Sequence, residues 1–407
     1  MIYLGNSEIQ NIYLGNIPIQ GIYAGDLLIY PTTVTAWSVT PTQIEMASRG
    51  GTENIRIASL SAWTISSSES WITFSQNSGD SGRTTVVATI ASHQTDSART
   101  ATITVTDGTN VSTISVTQEA YVDYAGQYFT MEILTAGTIN FKANSRNAGT
   151  RTIEYSINDD SWVSIASSTA DSIVNVVAGD VVRFRGNNTN YCSQSASTYA
   201  HCFSASTAVF NAYGNIMSMV AGDDFETAVT FTAPYVFRNF FTNTKIVDAS
   251  NLILPATTLT VRCYLAMFGT ASMLQKPPKI LPATTLTEGC YFNMFLNASA
   301  LTEAPELSAM TLAENCCRAM FYHCTSLTTA PNLLAPTLAT SCYYDMFNGC
   351  TNLNYIKCLA VDTSASSPTY HWVLGVGNTG TFVKDASKVW STGADGVPSG
   401  WTVVDNV

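Results

Sequence analysis

Flat aromatic rings and acidic pairs are the side chains here whose types and spacing could do chemistry. Trp63 and Trp71 could stack on the apolar C–H faces of sugar rings, or could simply fill the core of a small sandwich. Tyr264, Tyr291, Tyr343 and Tyr344 follow a periodic cysteine and should point partly outward, as sugar or protein contacts or as an ordinary solvated face. Asp159-Asp160 and Asp223-Asp224 suggest a carboxylate pair or calcium ligands, but neither doublet has the ligand spacing of a calcium loop. Cys342, Cys350 and Cys358 fall eight apart, a spacing that repeat positions generate without a metal. His93, His201, His323 and His371 are scattered singly, which leaves little for a metal site or a general-base relay. No Gly-rich phosphate loop or nucleophile elbow carries its required context. The expectation is a protein that is not an enzyme and takes no cofactor or metal.

Composition points the same way. Charged residues make up 12% of the 407-residue chain, against a usual value near 25%, so Ser, Thr, Asn and Gln must supply most surface polarity. Eighteen basic and 29 acidic residues give a net charge of −11, the wrong sign for a phosphate backbone or an anionic bilayer. Neither nucleic acid nor membrane is an expected partner. The first basic residue is Arg49, and Asn6, Glu8 and Asn11 interrupt the opening apolar residues, so no secretory leader is read there and the chain is expected to fold in a cytoplasm. No cysteine precedes Cys192, and eight crowd between Cys263 and Cys358 without a Cys-x-x-Cys pair. Buried thiols are expected, not disulfides or zinc.

The elements that must position these groups begin with a decad repeated three times over residues 1–31. Gly5-Asn6, Gly15-Asn16 and Gly25-Asp26 sit between apolar triplets, a two-residue hairpin signal. So short a piece cannot stabilise itself, and it is read as an anchoring segment, with Tyr3, Leu4, Tyr13, Leu14, Tyr23 and Ile29 making the contacts. An N-terminal sheet packed on the next domain is the alternative. Residues 32–120 alternate as short strands with regular turns and predict a β-sandwich; 121–190 predict a second one.

Downstream, four segments starting at Leu254, Leu281, Leu307 and Leu333 align at spacings of 27, 26 and 26 residues. Leu, Cys and Met recur within them at i, i+4 and i+8, as in Leu286, Cys290 and Met294. That pattern predicts one face of a short helix, and Thr285 with Glu288 and Thr311 with Glu314 have capping-box spacing. One helix and one strand per repeat would make residues 191–359 an α/β solenoid, closed by a cap at 360–407.

Two resemblances accompany these readings. Trp63-Thr-Ile, Trp71-Ile-Thr-Phe, Ser78-Gly, Arg99-Thr-Ala-Thr-Ile-Thr-Val and the closing Ile114 to Ala120 resemble the BACON domain, an immunoglobulin-like module proposed to bind carbohydrate; His93-Gln94-Thr95 departs from that family's loop. The aligned repeats, with Asn354 to Ala360, Gly380 to Lys384 and Pro398 to Val403, resemble BspA-like leucine-rich repeats of Bacteroides surface proteins and of fibres of their crAss-like phages. Together they imply a multidomain phage virion fibre, of head or tail, attached through residues 1–31 to other virion proteins. Such a fibre would be a dimer or trimer located in the virion and would present its modules to a host-surface glycan or protein. The alternative is a bacterial cell-surface adhesin of the BspA-like type.

Overall fold

In a computed structural model the described residues are 36–406 apart from 47–49, 94, 96, 119, 121–122, 143–150, 167–171, 192–201 and 204–205, together with the backbone of six short strands in residues 1–30. They divide into two compact units, Met1–Asp123 and Tyr124–Val407.

The first unit opens with three separate hairpins: Tyr3–Leu4 with Ser7–Glu8, Tyr13–Leu14 with Ile17–Pro18, and Ile22–Ala24 with Leu27–Tyr30. Leu4 pairs with Ser7, Leu14 with Ile17 and Ala24 with Leu27, so all three decads pair in the same register. Two sheets follow. One runs in the order Ser78–Gly79, Trp63–Ser67, Arg99–Thr106, Val111–Gln118, Gln43–Met46; the other runs Ile72–Phe74, Gly82–Ile90, Gly51–Ser59, Ser38–Thr40. Alternation sets their shared core: Val86, Ala88 and Ile90 point in from one sheet, and Ala101, Ile103 and Val105 from the other.

The second unit departs from the predicted fold. Four of the strands expected to form an independent second sandwich belong to a seven-stranded sheet ordered Val163–Ala166, Thr152–Ile157, Val181–Gly186, Phe129–Thr135, Val209–Asn215, Lys245–Ile246, with Asn251–Ile253 also pairing to Val209–Asn215, while Gly137–Phe141 and Ser172–Val176 pair as a separate two-stranded sheet. Its last two members join in parallel from the repeat region. One hydrophobic core runs from Phe129 through the repeats to Trp401.

The predicted α/β leucine-rich-repeat solenoid is absent. The α-helix among the described residues is Ser218–Ala221, followed by a 3-10 turn at Gly222–Thr227, and neither Thr285 with Glu288 nor Thr311 with Glu314 starts a helix. Each aligned segment is instead a run of four-residue turns. Cys263 N–H donates to the Thr260 carbonyl, Met267 to Tyr264 and Ala271 to Phe268. The third residue of each turn, Arg262, Ala266 and Thr270, has φ of 53°, 50° and 56°, the positive φ that a type II turn demands. The residues between donate to the next copy: Arg262, Tyr264, Ala266, Phe268 and Thr270 bond the carbonyls of Glu288, Cys290, Phe292, Met294 and Leu296. Every backbone N–H in this run thus finds a partner, alternately local and 26 residues away.

The repeat length explains the misreading. Leu259, Cys263, Met267 and Ala271 are all buried, a period of four held over three steps. At about 100° per residue a helix overshoots by about 40° every four residues and would carry the fourth member off the buried face; a chain of four-residue turns keeps it there. Copies stack through like side chains, with Phe241, Phe268, Phe295, Phe321 and Phe347 at successive centroid distances of 5.3, 5.4, 5.4 and 5.7 Å. Beyond Phe347, Trp372, Phe382 and Trp390 pack on one another, and Tyr355–Cys358, Thr381–Asp385 and Thr402–Asn406 form a parallel sheet.

Candidate functional site

In the seven-stranded sheet, Thr152–Ile157 pairs with Val181–Gly186 so that Glu154 stands opposite Arg185. The Arg185 Nε donates to Glu154 Oε2 at 2.8 Å. Its Nη1 donates to both oxygens of Asp223, at 2.9 and 3.1 Å. Asp223 reaches that point because the short helix ends at Gly222, whose φ of 57° turns the chain back over the sheet. Gly186 is required by close approach: a Cβ there would lie 2.8 Å from the Tyr191 hydroxyl and 3.0 Å from the Met219 carbonyl oxygen.

Aromatic rings fix the guanidinium from the other side. Its carbon lies 4.3 Å from the Trp162 ring centroid, a cation–π contact, and Tyr128 packs edge-on against Trp162 at 5.2 Å. The Tyr128 hydroxyl donates to Asp223 Oδ1 at 2.8 Å. That bond, followed by those from Arg185, holds the Asp223 carboxyl below its ordinary range, ionised and accepting.

Around this pair lies a cleft of about 420 Å³ lined by Thr152, Ser164, Asn187, Asn188 and the charged trio, within the span of small-ligand sites. Its chemistry is a row of planar amide, carboxylate and guanidinium groups. One cation against two carboxylates leaves it one unit negative, so a neutral polyhydroxylated ligand suits it and an anion does not. The sequence carried traces of this site: the Asp223-Asp224 doublet, Arg183 and Arg185 alternating on one strand of a chain with few basic residues, and Gly186-Asn187-Asn188 behind them. What no linear pattern gave was the strand register that brings Glu154 to Arg185.

The expected contact residues divide. Trp63 is 1% exposed and its ring belongs to the sandwich core. Tyr264, Tyr291 and Tyr343 are 1–2% exposed, a correction to their expected outward orientation: the cysteine that ends one four-residue turn and the tyrosine that begins the next both face the core. Tyr344, the next residue, is half-buried, with the Arg318 guanidinium 4.2 Å from its ring centroid and Tyr370 at 4.8 Å. Trp71 is half-buried with Arg99 over its ring at 4.1 Å, and Arg99 also donates to the Ala91 and Ser92 carbonyls, closing the loop between two strands. Tyr3, Leu4, Tyr13, Leu14, Tyr23 and Ile29 lie in the short N-terminal strands, their side chains outside the described residues. Asp159 pairs with Arg183. Cys192 and His201 also lie outside the described residues; Cys202, Cys263, Cys290, Cys316, Cys317, Cys324, Cys342, Cys350 and Cys358 are buried free thiols.

With this geometry in place, comparison with known proteins adds one module. Residues 61–119 match the family described as "BACON: Putative binding domain, N-terminal". Among solved structures, the Bacteroides ovatus GH5 xyloglucanase in complex with a XXXG heptasaccharide is 32% identical over 22% of this chain and 21% of that chain, with a TM-score of 0.20. A protein from Bacteroides thetaiotaomicron solved by NMR is 15% identical, covering 25% of this chain and 96% of its own, with a TM-score of 0.16. The CsuC-CsuE chaperone-tip adhesion subunit complex of Acinetobacter baumannii is 10% identical, covering 35% and 90%, with a TM-score of 0.19. These likenesses are partial and carry no argument about activity. No curated protein matches the chain.

Proposed function

We propose that this BACON-containing chain is a non-catalytic, adhesin-like protein whose cleft around Arg185 binds neutral carbohydrate. The observation that carries the reading is the Arg185 guanidinium, held by Glu154, Asp223 and the Trp162 ring. It leaves fixed hydrogen-bonding groups beside a cleft, the arrangement that sorts hydroxyls by position. A general acid needs a carboxyl raised toward neutral pH, whereas Asp223 is lowered by its hydrogen bonds. The match at residues 61–119 to a family described by binding supports the same class of role. The test is affinity electrophoresis of the full chain through neutral polysaccharides, with Ser164→Trp as the variant that fills the cleft from an exposed position.

A narrower reading makes the chain a fibre of a bacteriophage virion, multimeric and attached through its first 31 residues, with multivalency raising weak glycan contacts to firm attachment. Three hairpins in one register, each its own two-stranded sheet, support a modular attachment segment. Deleting residues 1–31 should abolish co-purification with particles; unchanged incorporation removes this reading, and display on a bacterial surface is then the adhesin alternative.

A further inference from the structure

The turn register places one residue of every repeat in a column on the outer side of the stack: Arg238, Leu265, Phe292, Arg318, Tyr344 and Tyr370, spaced 27, 27, 26, 26 and 26 apart. Phe292, Arg318 and Tyr344 are half-buried, and Tyr370 is 38% exposed. Arg318 sits between two rings, 5.5 Å from the Phe292 centroid and 4.2 Å from that of Tyr344. Tyr344 continues to Tyr370 at 4.8 Å, and Tyr370 to His371 at 3.8 Å.

What separates Arg318 from Arg185, stacked on Trp162 in the same unit, is its lack of a counter-ion. Arg185 is spent on Glu154 and Asp223. Arg262, in the preceding repeats, is spent on Glu288. Among the described residues no carboxylate stands within ion-pair distance of Arg318, whose side chain makes one long hydrogen bond, 3.4 Å to Asn315 Oδ1. The acid that follows Tyr344 in the chain, Asp345, accepts from Asn348 at 2.8 Å instead. In a protein of net charge −11, a guanidinium held between two rings with no carboxylate partner among the described residues is poised for bidentate capture of a carboxylate.

We infer that the Phe292–Arg318–Tyr344–Tyr370 column is a second glycan site, selective for a sugar that carries a carboxylate. Arg318 takes the carboxylate through its guanidinium edge, and the edges and hydroxyls of Tyr344 and Tyr370 border the ring that carries it. The site differs from the cleft in residues and in ligand: the cleft, one unit negative, repels the anion that this column attracts. Uronic acids and sialic acids share the required group.

The experiment uses the full chain and measures affinity for oligogalacturonate, for sialyllactose and for fully methyl-esterified oligogalacturonate, in which the charge is removed and the ring retained. Oligogalacturonate or sialyllactose should bind, the stronger of the two naming the source of the carboxylate, and the ester should bind at least 10-fold more weakly. Arg318→Met, which keeps the stem length, should lose 10-fold or more of the acidic binding, and Arg318→Lys should lose less. Raising salt should weaken the acid and leave the ester unchanged. Should Arg318→Met fail to fold, Tyr370→Ala decides, with an expected loss of about 5-fold. Absence of binding to both acids, equal binding of acid and ester, or unchanged acidic affinity in the folded Arg318→Met or Tyr370→Ala protein overturns the inference. Neutral-polysaccharide binding measured in parallel reports on the cleft separately.

Discussion

Phe268 and Phe295, one repeat apart, stack with ring centroids 5.4 Å apart and planes only 5° from parallel. Both rings are fully buried, and the backbone beside them is tied by the Phe268 N–H to the Met294 carbonyl at 2.9 Å. Because each copy rests on its neighbours alone, stability of the stack is a sum of such contacts.

Phe295→Ala should therefore cost about 3–5 kcal/mol, from lost burial and the cavity left between Phe268 and Phe321. Phe295→Leu should cost appreciably less, since most of the volume remains. Urea unfolding of the two variants measures the difference; near-equal stability would show that the ring column does not hold the repeats together.

Asn293 has φ of 57° at the third position of its turn. A left-handed residue without a side-chain clash is best served by Gly, then Asn. Asn293→Gly should be neutral or slightly stabilising, while Asn293→Ala should destabilise by about 1 kcal/mol. A helix at this position would invert the order, with Ala better than Gly, so the pair of thermal midpoints distinguishes the two backbones.

Much of the β architecture was legible because its causes are local. Val86, Ala88 and Ile90 alternate because the strand does, and Gly-Asn between apolar triplets marks a two-residue connection. The 26-residue repeat and the buried cysteines were also legible, since the sequence copies itself. The secondary structure inside each repeat was not. Leu, Cys and Met at a spacing of four fit a helix over two steps, and the third step, to Ala271, Ala298, Cys324 and Cys350, is where a period of 4.0 departs from 3.6. The left-handed residues that fix the turns are Arg262, Ala266, Asn293, Ser341 and Asp345 among others, too mixed to announce themselves as glycines would. The same misreading turned Tyr264, Tyr291 and Tyr343 outward. The cleft depends on pairing between Glu154 and Arg185, 31 residues apart, and on a turn that delivers Asp223 from a third segment.

Burial sets a pH dependence on the stack. It pushes the thiols of Cys263, Cys350 and Cys358 from an ordinary value of 9.0 up to about 12, and buried Tyr291 shifts the same way. Above pH 9 the unfolded chain releases thiol protons that the folded chain still holds, so stability falls as pH rises, until the folded thiols themselves titrate. The urea midpoint of the second unit should drop steadily between pH 8.5 and pH 10.5. Replacing Cys263 and Cys350 with Ala should flatten that slope while lowering stability at pH 7; an unchanged slope would refute the assignment to thiols.

The cleft bounded by Arg185, Glu154 and Asp223 is proposed to hold neutral carbohydrate without cleaving it. The most direct measurement is migration of the full chain through gels containing β-glucan, xylan or mannan, with reducing ends assayed in the same samples. Retardation by at least one polymer is expected, with loss of that retardation in Ser164→Trp and no rise in reducing ends. Free migration through all three, retardation that survives Ser164→Trp, or accumulating reducing ends would contradict it.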